Sequence, residues 1–175
     1  LSSRPRTAGA MLMATSPDSD VTLLRLAQPV VDGQGFAAWT SQPLAMGETC
    51  AGIHHPGGGL KEYTRGQRDS TPLNCTSRPA TNYYYGNWTV GITEGGSSGS
   101  PLFDSQWRVV GQLYGKCCPS SCALADCTNR DQWNFLYGRF DVSFPLLAPF
   151  LARCPGDFNG SGAVSVQDIF DFLAA

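Results

Sequence analysis

Charge is scarce in this sequence of 175 residues: 15% are charged, the formal net charge is −2, and no block of like charges occurs. That balance removes the electrostatic ground for proposing nucleic acid or an anionic membrane surface as a partner. No apolar run approaches the roughly 18 residues that a spanning helix requires. Long stretches of good helix formers are missing too, and internal repeats and low-complexity tracts are absent. There are only two histidines, His54 and His55, side by side. What is abundant is punctuation, with 20 Gly and 12 Pro between short apolar runs, which favours an all-β body with many turns. The length suits one packed domain with a small appendage.

Seven cysteines stand at 50, 75, 117, 118, 122, 127 and 154. Four of them crowd between Cys117 and Cys127 without a histidine or paired C-x2-C elements, so disulfides in an oxidising compartment are expected rather than zinc, and the protein is expected to be secreted or held at the cell surface. Cys50 and Cys75 are candidates to pair with each other, although spacing alone does not fix connectivity. The odd count leaves one thiol over. Together with a first residue, Leu1, that is not Met and an end inside an apolar helical pattern, it suggests a fragment of a longer chain.

In chain order, residues 1–19 are polar and turn-rich, and Asp20-Val21-Thr22-Leu23-Leu24-Arg25-Leu26 reads as a strand entered by an acid. Further strands are expected at Phe36–Trp39, Cys50–Ile53, Tyr83–Tyr85, Trp88–Ile92, Pro101–Phe103, Trp107–Tyr114 and Leu136–Phe144. Their spacing suits an antiparallel barrel or sandwich. A short helix is expected between Ser143 and Cys154, limited by Pro149. After Cys154-Pro155-Gly156 the composition changes, so residues 154–175 form a separate unit. Asn-x-Ser/Thr triplets at Asn74, Asn87 and Asn159 carry little weight here.

The chemistry concentrates in Gly95-Gly96-Ser97-Ser98-Gly99-Ser100-Pro101-Leu102-Phe103. Read as Gly95-x-Ser97-x-Gly99, it fits the nucleophile elbow of an esterase, which needs a helix directly after the serine. Here the following residues read as a β-hairpin, Pro101–Phe103 and Trp107–Tyr114 around Asp104-Ser105-Gln106, which disfavours the elbow. Read as Gly96-x-Ser98-Gly99-x-Pro101, the run resembles the active-site loop of trypsin-like serine proteases. The longer string from Thr93 to Leu102, with Gly111-Gln112-Leu113-Tyr114-Gly115 downstream, is similar to their bacterial lysyl-endopeptidase-like branch.

That resemblance implies the C-terminal barrel of a double antiparallel β-barrel over 28–153, with 1–27 as a remnant of the N-terminal barrel. It implies Ser98 as nucleophile, and the backbone N–H groups of Gly96 and Ser98 as the oxyanion hole, where glycine keeps Cβ atoms out of the way. It assigns Asp20, with Asp18 as the nearby rival, to orienting the base. The family order places the base histidine before Asp20, where this chain has none; His54 and His55 are expected to be turn or packing residues, and the fragment as given to be inactive. A protein or peptide is the implied substrate, and no cofactor is needed.

Ile92, Thr93, Glu94, Tyr114, Gly115 and Lys116 are the implied pocket wall. In the lysine-specific members an acid precedes a Tyr-Gly-Arg run; before Tyr137-Gly138-Arg139 the candidate is Asp131. The resemblance also suggests that Cys122 pairs with a segment outside this chain.

Asp157 to Asp168 fits a twelve-residue EF-hand-type loop, with Asp157, Asn159, Ser161, Ser165 and Asp168 as side-chain ligands, Ala163 as a carbonyl ligand and Gly162 at the turn. The closing Asp makes it resemble half a dockerin repeat, implying Ca2+ and a cohesin-like or cell-surface partner. The alternative to a protease is a non-catalytic protein that keeps the barrel and attaches through this calcium unit.

Overall fold

In a computed structural model, the described residues are 8–30, 35–69, 75, 77–117 and 134–151, with Val166, Phe170 and Leu173 in helical conformation beyond them. Eight strands precede one helix: β1 (Ala10–Ser16), β2 (Val21–Leu26), β3 (Thr49–His54), β4 (Glu62–Arg68), β5 (Tyr83–Val90), β6 (Pro101–Phe103), β7 (Val109–Cys117), β8 (Asn134–Arg139) and α1 (Phe140–Leu147). β1 and β2 form their own two-stranded sheet, while the other six close a barrel in the order β3-β4-β5-β8-β7-β6. Every ladder in both sheets is antiparallel. Among the described residues no helix is long and apolar enough to cross a membrane.

The period-two geometry of strands explains how the aromatic residues divide. Along β5, Tyr84 and Trp88 join Phe135 and Tyr137 of β8 in the barrel core, with Leu44, Cys50, Ile92, Leu102, Val110 and Leu113. Tyr83 and Tyr85 face the other way and pack with Leu136 and Cys117. Trp88 sits 4.2 Å from Phe135, ring centroid to centroid, and meets Tyr137 edge-on. The Tyr84 hydroxyl accepts from Leu44 N–H and donates to Asp141. Burial alone would raise the Asp141 carboxyl, but hydrogen bonds from Arg139 and Tyr84 outweigh it and hold the group below its ordinary range.

Several elements differ from the sequence expectation. Residues 10–16, read as polar connection, form β1. Tyr83–Tyr85 and Trp88–Ile92 are one strand, not two. Of Phe36–Trp39 only Trp39 pairs, in an isolated bridge to Val109. β4 was not expected because its buried positions are Thr64 and Gly66, too small to give an apolar signal. Their smallness serves Trp88: a Cβ on Gly66 would lie 2.9 Å from Trp88 Cε3 and 2.0 Å from the Asn87 carbonyl. The chain turns helical at Phe140, not after Ser143, because Phe140, Ser143 and Leu147 form a buried stripe. Phe140 and Leu147 meet Ala14 of β1 and Val21 of β2, with Trp39 and Phe144 beside them. Pro145 lies inside the helix.

The expected Cys50–Cys75 partnership does not form. Cys75 is bonded to Cys117 at the end of β7, and Cys50 is a free, buried thiol whose pKa burial pushes up to about 12. Cys50 lies inside the barrel and Cys75 packs against the outer cluster, so the barrel wall separates them.

The core makes a direct prediction. Trp88→Ala should lower unfolding free energy by about 3–5 kcal/mol, as a large aromatic truncated in a closed core does. Leu60→Ala, at a residue 87% exposed, should stay within about 0.5 kcal/mol, both read by urea denaturation.

Candidate functional site

The segment between β5 and β6 has three glycines at positive φ, Gly91, Gly96 and Gly99. Gly96 and Gly99 have φ of +96° and +78°, a region that side chains with a Cβ rarely adopt. Ser97 N–H donates to the Glu94 carbonyl at 3.0 Å and Ser100 N–H to the Ser97 carbonyl at 3.1 Å. Gly99 N–H reaches the Leu113 carbonyl, and Leu113 N–H returns to the Ser100 carbonyl, tying the loop to β7. The segment after the serines is the β6–β7 hairpin. An esterase elbow is thereby excluded, since it requires a helix there.

The two adjacent serines differ in environment. Ser97 is 1% exposed, and its hydroxyl accepts from Glu94 N–H at 3.2 Å and lies 2.9 Å from His54 Nδ1. Ser98 is exposed and lines a cleft of about 500 Å³ with Thr93, Glu94, Gly95, Leu113, Gly115 and Lys116. Among the described residues, the backbone N–H groups of Gly96 and Ser98 have no hydrogen-bond acceptor. These two unpartnered N–H groups belong to the same loop as the accessible Ser98 hydroxyl at the mouth of the cleft.

Of the residues expected to wall a pocket, Thr93, Glu94, Gly115 and Lys116 line this cleft. Ile92 instead packs in the barrel core. Tyr114 alternates away from its neighbours on β7 and faces Tyr83, at 5.6 Å between ring centroids, under the Arg78 guanidinium. Gly95 and Leu113 line the cleft without having been singled out; their signal was adjacency to the serine loop and to Tyr114. Asp131, Cys122 and the calcium-loop residues Asp157, Asn159, Ser161, Ala163, Ser165 and Asp168 lie outside the described residues.

Asp20 sits at the turn into β2 with φ of +54°, an uncommon conformation for a residue with a Cβ. The turn is docked on the barrel through its neighbours. The Ser19 carbonyl accepts from Gln112 Nε2 of β7 at 2.7 Å, the Ser19 and Ser143 hydroxyls are 2.6 Å apart, and Asn82 Nδ2 donates to the Asp18 carbonyl. Gly138 makes the docking sterically feasible, because a Cβ there would fall 1.7 Å from the Ser19 carbonyl oxygen. Asp20 and Asp18 are both exposed. Their charges reach Tyr83, whose hydroxyl is pushed up mainly by burial, with Arg78 acting in the opposite sense.

Neither histidine touches Ser98. His55 Nδ1 is 3.2 Å from the Gly59 carbonyl, within its own turn. His54 is 2% exposed, and burial pushes its pKa below 6.5; His55 adds to that effect, while Glu62 and Glu94 oppose it. The folded protein therefore binds fewer protons at His54 than the unfolded chain does just below pH 6.5. The associated stability is complete above that pH and is lost as pH falls through the lower folded pKa. His54→Asn, which has no proton to take up, should show a smaller fall in Tm between about pH 7 and pH 5 than the parent in matched thermal melts.

Comparisons with known proteins agree with this architecture. A family model described as lysyl endopeptidase, C-terminal domain, matches residues 2–134. A lysyl endopeptidase of Pseudomonas aeruginosa is 29% identical over 147 residues, covering 82% of this chain and 31% of the relative, so the chain spans under a third of that protein. Among solved structures, the active form of the Rv3671c protease of M. tuberculosis superposes with a TM-score of 0.51 at 23% identity, over 83% of this chain and 60% of that one. The HtrA-type protease AlgW, crystallised with a tripeptide, gives 0.56 at 16% identity, over 79% and 42%. Those two structures establish likeness of fold.

Proposed function

The chain belongs to the lysyl endopeptidase C-terminal domain family, and from that premise we propose that it is the second barrel of a serine endopeptidase with Ser98 as nucleophile. The observation that carries the reading is the contrast between the serines: Ser97 is buried and engaged, whereas Ser98 is open to the cleft, in a loop whose Gly96 and Ser98 N–H groups have no acceptor among the described residues.

In the proposed reaction Ser98 Oγ attacks the scissile carbonyl carbon, and its proton passes to a base. The carbonyl oxygen becomes an oxyanion held by Gly96 and Ser98 N–H, each such donor lowering the barrier by on the order of 3 kcal/mol. Collapse breaks the C–N bond, and the amine leaves with the proton returned by the base, giving an acyl-enzyme. Water, deprotonated by the same base, then releases the acid and restores Ser98. The base is an imidazole contributed from outside these 175 residues, since His54 and His55 are committed elsewhere. Asp20 is the group that orients it, on a turn held by Gln112, Asn82 and Ser143. Glu94 and Lys116 present both signs of charge in the cleft where the substrate side chain would enter. The Cys75–Cys117 disulfide supports export of the protein.

The test is fluorophosphonate labelling of the full-length gene product. Ser98→Ala should abolish labelling, and Ser97→Ala should retain it at a reduced rate. Labelling that survives in Ser98→Ala would remove Ser98 as nucleophile, and with it this reading.

A further inference from the structure

The end of β3 and the turn after it grip the serine loop at two points. On the side-chain side, His54 Nδ1 meets Ser97 Oγ at 2.9 Å in a buried contact. On the backbone side, Gly57 N–H donates to the Gly95 carbonyl at 2.7 Å. Gly96 lies between the two grips, and a Cβ on it would fall 3.0 Å from Gly57 N and 3.2 Å from the His55 carbonyl. Gly57 and Gly58, at φ of +58° and +73°, let the turn fold back close enough to reach.

Peptide planarity converts this grip into an orientation. No peptide bond in the described chain is cis, so the Gly95 C=O and the Gly96 N–H point in opposite directions. Drawing the carbonyl toward Gly57 turns the Gly96 N–H away from the turn and leaves it free. If that bond were absent, rotation of the same peptide would present a carbonyl oxygen where a donor is required.

The His54 contact has a definite polarity. Ser97 Oγ already accepts from Glu94 N–H, so its own proton is available to His54 Nδ1, and the imidazole proton resides on Nε2. The opposite assignment would fill both Ser97 lone pairs and strand a buried hydroxyl proton. A doubly protonated ring would carry its extra proton on Nδ1 and remove the acceptor that the Ser97 hydroxyl uses, while Nε2 is buried with no partner among the described residues.

We propose that His54 is a positioning residue: through Ser97 and the turn that follows it, His54 fixes the peptide between Gly95 and Gly96 so that Gly96 N–H serves the oxyanion. The catalytic meaning of this latch rests on the protease reading, whereas the latch itself is measurable without it.

Two measurements on the full-length protein test it: amide exchange at Gly57, and kcat and KM on a peptidyl-lysine p-nitroanilide. His54→Leu, which keeps bulk and removes the acceptor, should speed Gly57 exchange about tenfold or more. It should also lower kcat about 100-fold with KM little changed, as loss of one oriented oxyanion donor does. His54→Asn keeps an acceptor near the Nδ1 position and should restore most of both. If His54→Leu fails to fold, Ser97→Ala, which leaves the histidine in place, should show the same two losses. Faster Gly57 exchange with unchanged kcat, or equal losses in the Asn and Leu variants, would overturn the proposal. Hydrolysis that persists in Ser98→Ala would strike the assignment of Ser98 as nucleophile, and with it the proposed function, but not the latch, because Gly57 exchange still reports on it.

Discussion

The site depends on a ladder of two residue pairs. β3 meets β6 only through Ala51 opposite Phe103 and Gly52 opposite Leu102, and this contact closes the barrel. Because the strands are antiparallel, the end of β3 advances past Gly52 toward the residues before Pro101. His54 thereby arrives beside Ser97, 43 positions away in sequence. Gly52 also makes room inside the barrel beside this ladder: a Cβ there would lie 2.7 Å from Thr64 Oγ1 of β4 and 3.1 Å from the Tyr137 hydroxyl of β8. A slip of one residue would send His54 to the opposite face and leave Ser97 without its partner.

Local backbone features were legible in the sequence wherever one short segment contained them. The glycine spacing around Ser98, the hairpin after it and the acid at the start of β2 all appear within runs of about ten residues, so turn and strand rules apply directly. Features that need two distant segments were not legible. β4 escaped because its inward positions are a threonine and a glycine that make room for Trp88, which belongs to β5. The cysteine pairing escaped because Cys75 finds Cys117 across the barrel exterior, a proximity created by β5, β8 and β7 lying side by side. The histidine pair was expected to be turn or packing residues; His54 ends β3 and His55 enters the turn after it, and the identity of His54's neighbour required the closing ladder.

Under the proposed function, adjacent serines in one loop divide two requirements that a single serine cannot meet. A nucleophile must be exposed, with its hydroxyl uncommitted to the loop's own framework; a loop that holds oxyanion donors must be internally bonded to avoid reorganising when charge appears. Burying Ser97 and exposing Ser98 meets both needs in consecutive residues, with the positive φ of Gly96 and Gly99 accommodating the change of direction on either side. The acid follows the same logic on another element. Asp20 is exposed, while Ser19 beside it is buried and bonded to Ser143 and Gln112. In both places an exposed side chain stands beside a buried, hydrogen-bonded neighbour, so under the proposed function the rigidity of the site resides in residues that need never touch the substrate.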